Sequence, residues 1–276
     1  MKLTSIMKTS AFAFILTTSA FANTTNTLTA PKTLSDFFKK ERLGLFLLSS
    51  TSHQGGSTDF TGFGQTNIGY LSYKITDKES LRMENRWSIN NPNGEEATHE
   101  YSRAVLKYTR SGILTQDKDG VNLSAAFEKR YYPEGERRVS ANAYGLNRLS
   151  ASFSRKMNDT LSLGATAYVA LNDVRDSADK STTRNYAYLV LTQNFSLPYE
   201  VTFTTVQELF KANNSQDSDE YQEIAFSMEA SRSISKKLGA ALGVYSRPIS
   251  GSDEFSYNSS FLKDLEYSLT LTYAAF

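Results

Sequence analysis

From residue 41 to residue 276 the chain repeats one device, a run of roughly ten to fourteen residues alternating with period two, closed by a polar turn. In a strand, successive side chains point to opposite faces, so such a run sorts its residues onto two surfaces. Between Thr160 and Asn172, Leu161, Leu163, Ala165, Ala167, Val169 and Leu171 fall on one face. Ser162, Gly164, Thr166, Tyr168, Ala170 and Asn172 fall on the other. The runs Lys237 to Pro248 and Asp264 to Tyr273 repeat the scheme, the first with Leu238, Ala240, Leu242 and Val244, the second with Leu265, Tyr267, Leu269, Leu271 and Tyr273. A soluble sandwich also alternates, but its strands centre on about five to six residues. A tilted strand that crosses a bilayer needs about nine to eleven. The runs match the membrane figure.

Twelve such runs can be placed, at 41–50, 64–76, 80–90, 97–109, 120–132, 137–156, 160–172, 184–196, 199–212, 220–233, 237–248 and 264–276. The intervals between them alternate in length. Asp77 to Glu79, Asn158-Asp159, Leu197-Pro198 and Ile234 to Lys236 are short, and Ser111 to Asp119 is a longer exception in which Ile113 and Leu114 extend a strand. The intervals between the short turns, such as Thr51 to Phe63, Asp173 to Thr183 and Ile249 to Lys263, are longer and polar. Short turns on the inner side and long loops on the outer side are the habit of outer-membrane barrels. The expected fold class is therefore all-β, a transmembrane antiparallel up-and-down β-barrel of twelve strands spanning residues 41–276.

Composition agrees. The mean hydropathy is -0.42 and the hydrophobic fraction 39%, which leaves no place for helical spans of about 20 apolar residues. Residues 1–22 read as a secretory signal: Lys2 and Lys8 precede the apolar stretch Ala11 to Leu16, and Ala20-Phe21-Ala22 fits an A-x-A cleavage site. Residues 23–40 form a lead-in on the periplasmic side, either a flexible segment or a short helix capped by Ser35 and carrying Phe37 and Phe38. Lysine plus arginine total 30 against 29 acidic residues, so there is no basic footprint for nucleic acid. There is no cysteine, which removes disulfides and thiolate metal sites together.

The last run, Leu265 to Phe276, ends on an aromatic residue. It resembles the C-terminal signature by which the barrel-assembly machinery recognises Gram-negative outer-membrane proteins. The resemblance is to a class and covers residues 41–276. It implies outer-membrane localisation, lipid as the surrounding solvent and contact with the assembly machinery through Phe276. The apolar series Leu269, Leu271, Tyr273 is one residue out of phase with Phe276, which a bulge near the end of the strand would reconcile. Twelve-stranded members of this class include narrow solute channels, some specific for acidic sugars, and outer-membrane phospholipases.

The inner face then carries the chemistry. In the run 80–90, Leu81, Met83, Trp87 and Ile89 take the lipid side, while Arg82, Glu84 and Arg86 point inward. The opposite phase would put Arg in lipid at a cost of about 2–4 kcal/mol each near the midplane. The same phase brings Arg103, Lys107, Arg130 and Arg148 inward with Glu128, and Glu208, Glu223, Glu229 and Glu266 inward on the far side with Arg247 as a basic exception. A mainly basic wall facing a mainly acidic one would favour passage of small hydrophilic or charged solutes. Twelve strands lie between barrels filled by side chains and barrels that hold an open channel. The same Arg and Glu can instead meet across the middle and seal a closed, structural or interaction barrel. The small residues Gly239, Ala241, Gly243, Ala126, Ser150 and Ser152 favour space. Tyr73, Trp87, Tyr108, Tyr131, Tyr267 and Tyr273 are expected in interfacial girdles.

An outer-membrane lipid hydrolase is the weakest alternative. The two histidines, His53 and His99, have no serine in the His/Ser motif of the phospholipases, and Ser102 lies three residues from His99. No catalytic residue, metal site or cofactor is expected.

Overall fold

The computed structural model describes residues 42–54, 63–91, 98–133, 143–174, 183–214, 220–252 and 265–274. The strands are β1 (Leu43–Gln54), β2 (Phe63–Lys74), β3 (Glu79–Asn91), β4 (Thr98–Leu114), β5 (Asn122–Tyr131), β6 (Ala143–Lys156), β7 (Leu161–Val174), β8 (Thr183–Leu197), β9 (Val201–Asn214), β10 (Glu220–Ser233), β11 (Leu238–Ser252) and β12 (Glu266–Ala274). Each pairs antiparallel with its sequence neighbours, and β1 pairs with β12, so twelve strands close into a barrel. Closure pairs the edge amides and carbonyls that lipid could not satisfy.

The strands run from 9 to 17 residues, which matches the length of a tilted span. Every strand turns at least one large apolar side chain outward, among them Leu47, Leu71, Met83, Leu106, Phe127, Leu149, Val169, Leu189, Leu209, Met228, Leu242 and Leu269, all exposed. A continuous apolar belt is far larger than the few hundred Å² a soluble monomer exposes. Aromatics flank it. Trp87, Tyr101, Tyr131, Tyr144 and Tyr267 are exposed toward one end, and Tyr273 and Phe153 toward the other, where Phe195 and Phe203 meet at 6.2 Å. Tyr73 and Tyr108 are half-buried, and the Tyr108 hydroxyl donates to Glu79.

The short turns share one end of the barrel and are held by side chains. Asn158 Oδ1 accepts from the amides of Thr160 and Leu161, and Ser235 Oγ from those of Lys237 and Leu238. These polar side chains replace the backbone partners lost in the turn. At the same end Lys156 donates to Asp159 and holds its carboxyl below the usual carboxylate range.

Strand ends differ from expectation in places. Ser111 to Leu114, placed partly in a turn, belong to β4, and the turn proper is the single-turn helix α1 (Gln116–Asp119) closed by Gly120 at φ 77°. The register shifts between Arg110 and Leu114 to make room for it. Pro198 to Glu200 form a 3-10 turn with positive φ at Tyr199 and Glu200, so Leu197 completes β8 instead of opening the turn. The first run slides from 41–50 to Leu43–Gln54, and residues 137–142 of the sixth lie outside the described residues. No register shift interrupts β12 against β1 or β11 up to Ala274, so the bulge expected there is absent from Glu266–Ala274. Phe276, residues 1–40 and the long intervals at the far end also lie outside the described residues.

Candidate functional site

The alternation of each strand places its polar set on the inner face, and the register brings these sets together around the wall. Arg86 lies opposite Arg103, Arg82 opposite Lys107, Lys107 opposite Glu128, and Glu128 opposite Arg148. Four adjacent strands, β3 to β6, therefore concentrate Arg82, Arg86, Arg103, Lys107, Arg130 and Arg148 on one sector with Glu84 and Glu128 among them. Each carboxylate is shared. Glu84 binds Arg82 at 3.2 Å and Arg86 at 3.1 Å, and Glu128 binds both Arg130 and Arg148. Two acids serve four guanidinium groups, leaving the sector strongly positive.

Across the barrel the acids fall as the alternation requires. Glu208 on β9 lies opposite Ala225, Glu229 on β10 opposite Gly243, and Glu266 on β12 opposite Tyr245. Glu223 binds Arg247 at 3.2 Å and accepts from Tyr245, while Arg247 Nε donates to the Tyr245 hydroxyl at 2.8 Å and its guanidinium covers that ring. Arg247 is thus held inside the acidic sector by its own partners.

Between the two sectors stands an aromatic group whose role the sequence did not announce. The Arg148 guanidinium lies 4.6 Å over the Tyr168 ring, whose centroid stacks 4.9 Å from that of Tyr188. Tyr188 donates to Glu208, and Phe210 packs edge-on against Tyr188 at 5.6 Å. One chain of contacts runs along the inner wall from Glu128 through Arg148, Tyr168 and Tyr188 to Glu208. The alternation put Tyr168 on the face opposite its leucines, but stacking depends on cross-strand register, which no single run encodes.

These ion pairs follow the wall, each within its own sector, in contrast to the expected alternative of Arg and Glu meeting across the middle. Several inner-wall atoms are buried with no hydrogen-bond partner among the described residues, among them Nε of Arg82, Arg86 and Arg103 and Oε1 of Glu100 on the basic side, and Glu229 Oε1 with the Ser246 and Ser268 hydroxyls on the acidic side. Buried polar atoms of this kind are costly without a partner, and an incoming polar solute or water would supply one.

The Ser102 hydroxyl donates to the Arg86 carbonyl at the β3–β4 register shift, and His99 lies exposed opposite Ile89. The side chain of His53 lies outside the described residues. Among the described residues no group of three or more His, Asp or Glu could hold a metal ion.

No protein-family model and no curated protein sequence matches the chain. Solved structures do. An outer membrane channel from Pseudomonas putida F1 superposes with a TM-score of 0.58 at 11% identity, over 84% of this chain and 95% of that one. The NanC porin gives 0.52 at 11% identity, over 82% of this chain and 98% of its own. The chain shares its fold with outer-membrane channel barrels. The KdgM porin also aligns, with a TM-score of 0.49 at 10% identity over 83% of this chain and 98% of that one. At such identities the likeness extends to the barrel and leaves the inner face to be argued from its own residues.

Proposed function

We propose that the protein is an outer-membrane channel for passive diffusion of small hydrophilic or charged solutes. Its selectivity is set by the basic sector on β3 to β6 facing the acidic sector on β9 to β12. The observation that carries this is the sorting of ionised side chains onto two inner sectors, with Glu84 and Glu128 pairing inside the basic one and Glu223 pairing with Arg247 inside the acidic one. A sealed barrel would join its charges across the middle, whereas separated sectors leave a transverse field for a polar solute. Export by the segment 1–22, residence in the outer membrane with the short turns periplasmic, and recognition of Phe276 by the assembly machinery complete the reading. Arg82, Arg86, Arg103, Lys107, Arg130, Arg148 and Arg247 line the path with Glu84, Glu128, Glu208, Glu223, Glu229 and Glu266. Folded protein in planar bilayers should give discrete current steps, and Arg103→Glu should shift the reversal potential in a salt gradient toward cation preference. A folded barrel that passes no current would move the assignment to a closed structural barrel, the reading favoured by the near-complete burial of Glu128 and Arg148.

A further inference from the structure

On the acidic sector, Glu208 accepts from Tyr188 and Glu223 holds Arg247, but Glu229 on β10 has no such support. It is only 3% exposed, and its Oε1 has no hydrogen-bond partner among the described residues. The register shows why. Thr204 lies opposite on β9 and Gly243 opposite on β11, with Ser227 and Ser231 to either side along β10. None of these carries a charge. A buried carboxylate without a partner is costly, so the position calls for a proton or a counter-ion.

The oxygens around it decide between the two. Thr204 gives its hydroxyl proton to Asn194 at 2.8 Å, which leaves its own oxygen as an acceptor. Ser268 on β12 continues the same row beyond Gly243, and its buried hydroxyl also lacks a partner among the described residues. Glu229 and Ser268 are therefore two strand spacings apart, about 10 Å between backbones, and Gly243 puts no side chain between them. A proton on Glu229 would serve one carboxyl oxygen and leave the other, and Ser268, as they are. A cation lying over Gly243 engages them together. Its charge follows from the donor count. One carboxylate among neutral hydroxyls balances a single positive charge, whereas calcium takes about six to eight oxygens, commonly with several carboxylates among them. We infer that Glu229, Thr204, Ser227 and Ser268 form a site for a monovalent metal cation of the sodium and potassium class. Filled, the site removes one negative charge from the acidic sector. The inference rests on the inner face of the barrel, not on solute passage.

Full-length protein folded in detergent can be unfolded with urea in choline chloride, and again with potassium chloride replacing choline at constant ionic strength. Choline, a bulky quaternary ammonium, serves as the reference cation. The wild-type midpoint should rise with the logarithm of potassium concentration once the site fills, as for any ligand that binds the folded state alone. Glu229→Gln, close in shape and free of charge, should fold and lose that rise. Ser268→Ala should keep it, with its onset moved to about fivefold higher potassium, the worth of one polar contact. A wild-type midpoint indifferent to potassium is the outcome of a protonated Glu229 and would overturn the inference. The same rise in Glu229→Gln would overturn it as well. Heat-modifiable migration on a gel confirms that each variant retains the barrel. Wild-type crystals grown in rubidium chloride give a reading that needs no variant. An anomalous peak in contact with the Glu229 carboxylate is expected, and an ordered carboxylate without one tells against the site. No readout requires current, so a barrel that conducts nothing would defeat the channel assignment while leaving this test intact.

Discussion

Glu128 holds two guanidinium groups at once, Arg130 on its own strand and Arg148 on β6, in a buried setting. Removing one partner of a buried ion pair leaves uncompensated charge and costs about 3–5 kcal/mol. Glu128→Gln should therefore lower the unfolding free energy by about 3 kcal/mol or more, in urea titrations of the detergent-folded barrel. Glu84→Gln is expected to cost less, because Arg82 also stacks on Tyr70 and is less deeply buried. Gly145 supplies a second test at single-atom scale. A Cβ there would lie 2.1 Å from the Arg130 carbonyl oxygen, at the point where the β6–β7 register shifts. Backbone cannot yield as a flexible side chain can. Gly145→Ala should destabilise by about 1–3 kcal/mol, the usual cost of overpacking, and broaden amide resonances along β5 and β6. The sequence marks Gly145 only as a glycine within an alternating run; the close approach that requires it belongs to the neighbouring strand.

Strands were the level at which the sequence spoke most clearly. Period-two alternation is a local property of the pleat, so runs such as 160–172 and 220–233 could be read directly and correspond closely to β7 and β10. Features fixed by partners could not. The helix α1 interrupts what the residues alone present as a turn, and the positive φ at Tyr199 and Glu200 has no glycine to announce it. The inward phase of Arg82, Glu84 and Arg86 was legible because the other phase would place charge in lipid. Which of them would pair, and that Tyr168 and Tyr188 would bridge the sectors, depended on register across four strands. The assignment of faces can be tested on one strand. Leu149, 58% exposed on the lipid side of β6, should tolerate arginine poorly, losing about 2–4 kcal/mol. The adjacent inward Ser150 should lose less than half as much on Ser150→Arg, measured under the same folding conditions. Equal losses would contradict the sidedness of β6.

At the scale of the whole molecule, function on this account depends on a field between two sectors of one wall, and a field in water has a range set by salt. The Debye length is about 10 Å at 0.1 M and about 3 Å at 1 M. Charges held in each other's company, such as Glu128 between Arg130 and Arg148, project little net field, whereas the surplus cations of β3 to β6 project the rest. At 0.1 M that surplus reaches across a narrow lumen, so a permeating ion feels both sectors along its path. At 1 M each sector is screened within its own side chains. The ratio of anion to cation permeability should therefore approach the ratio of bulk mobilities as salt rises from 0.1 to 1 M. The shift produced by Arg103→Glu should shrink over the same range, by roughly the factor of three in screening length. Reversal potentials measured at fixed gradient ratio and rising mean salt read this directly. A selectivity that stays constant across the range would place its origin in steric contact or a fixed binding site, and the two-sector field would no longer explain it.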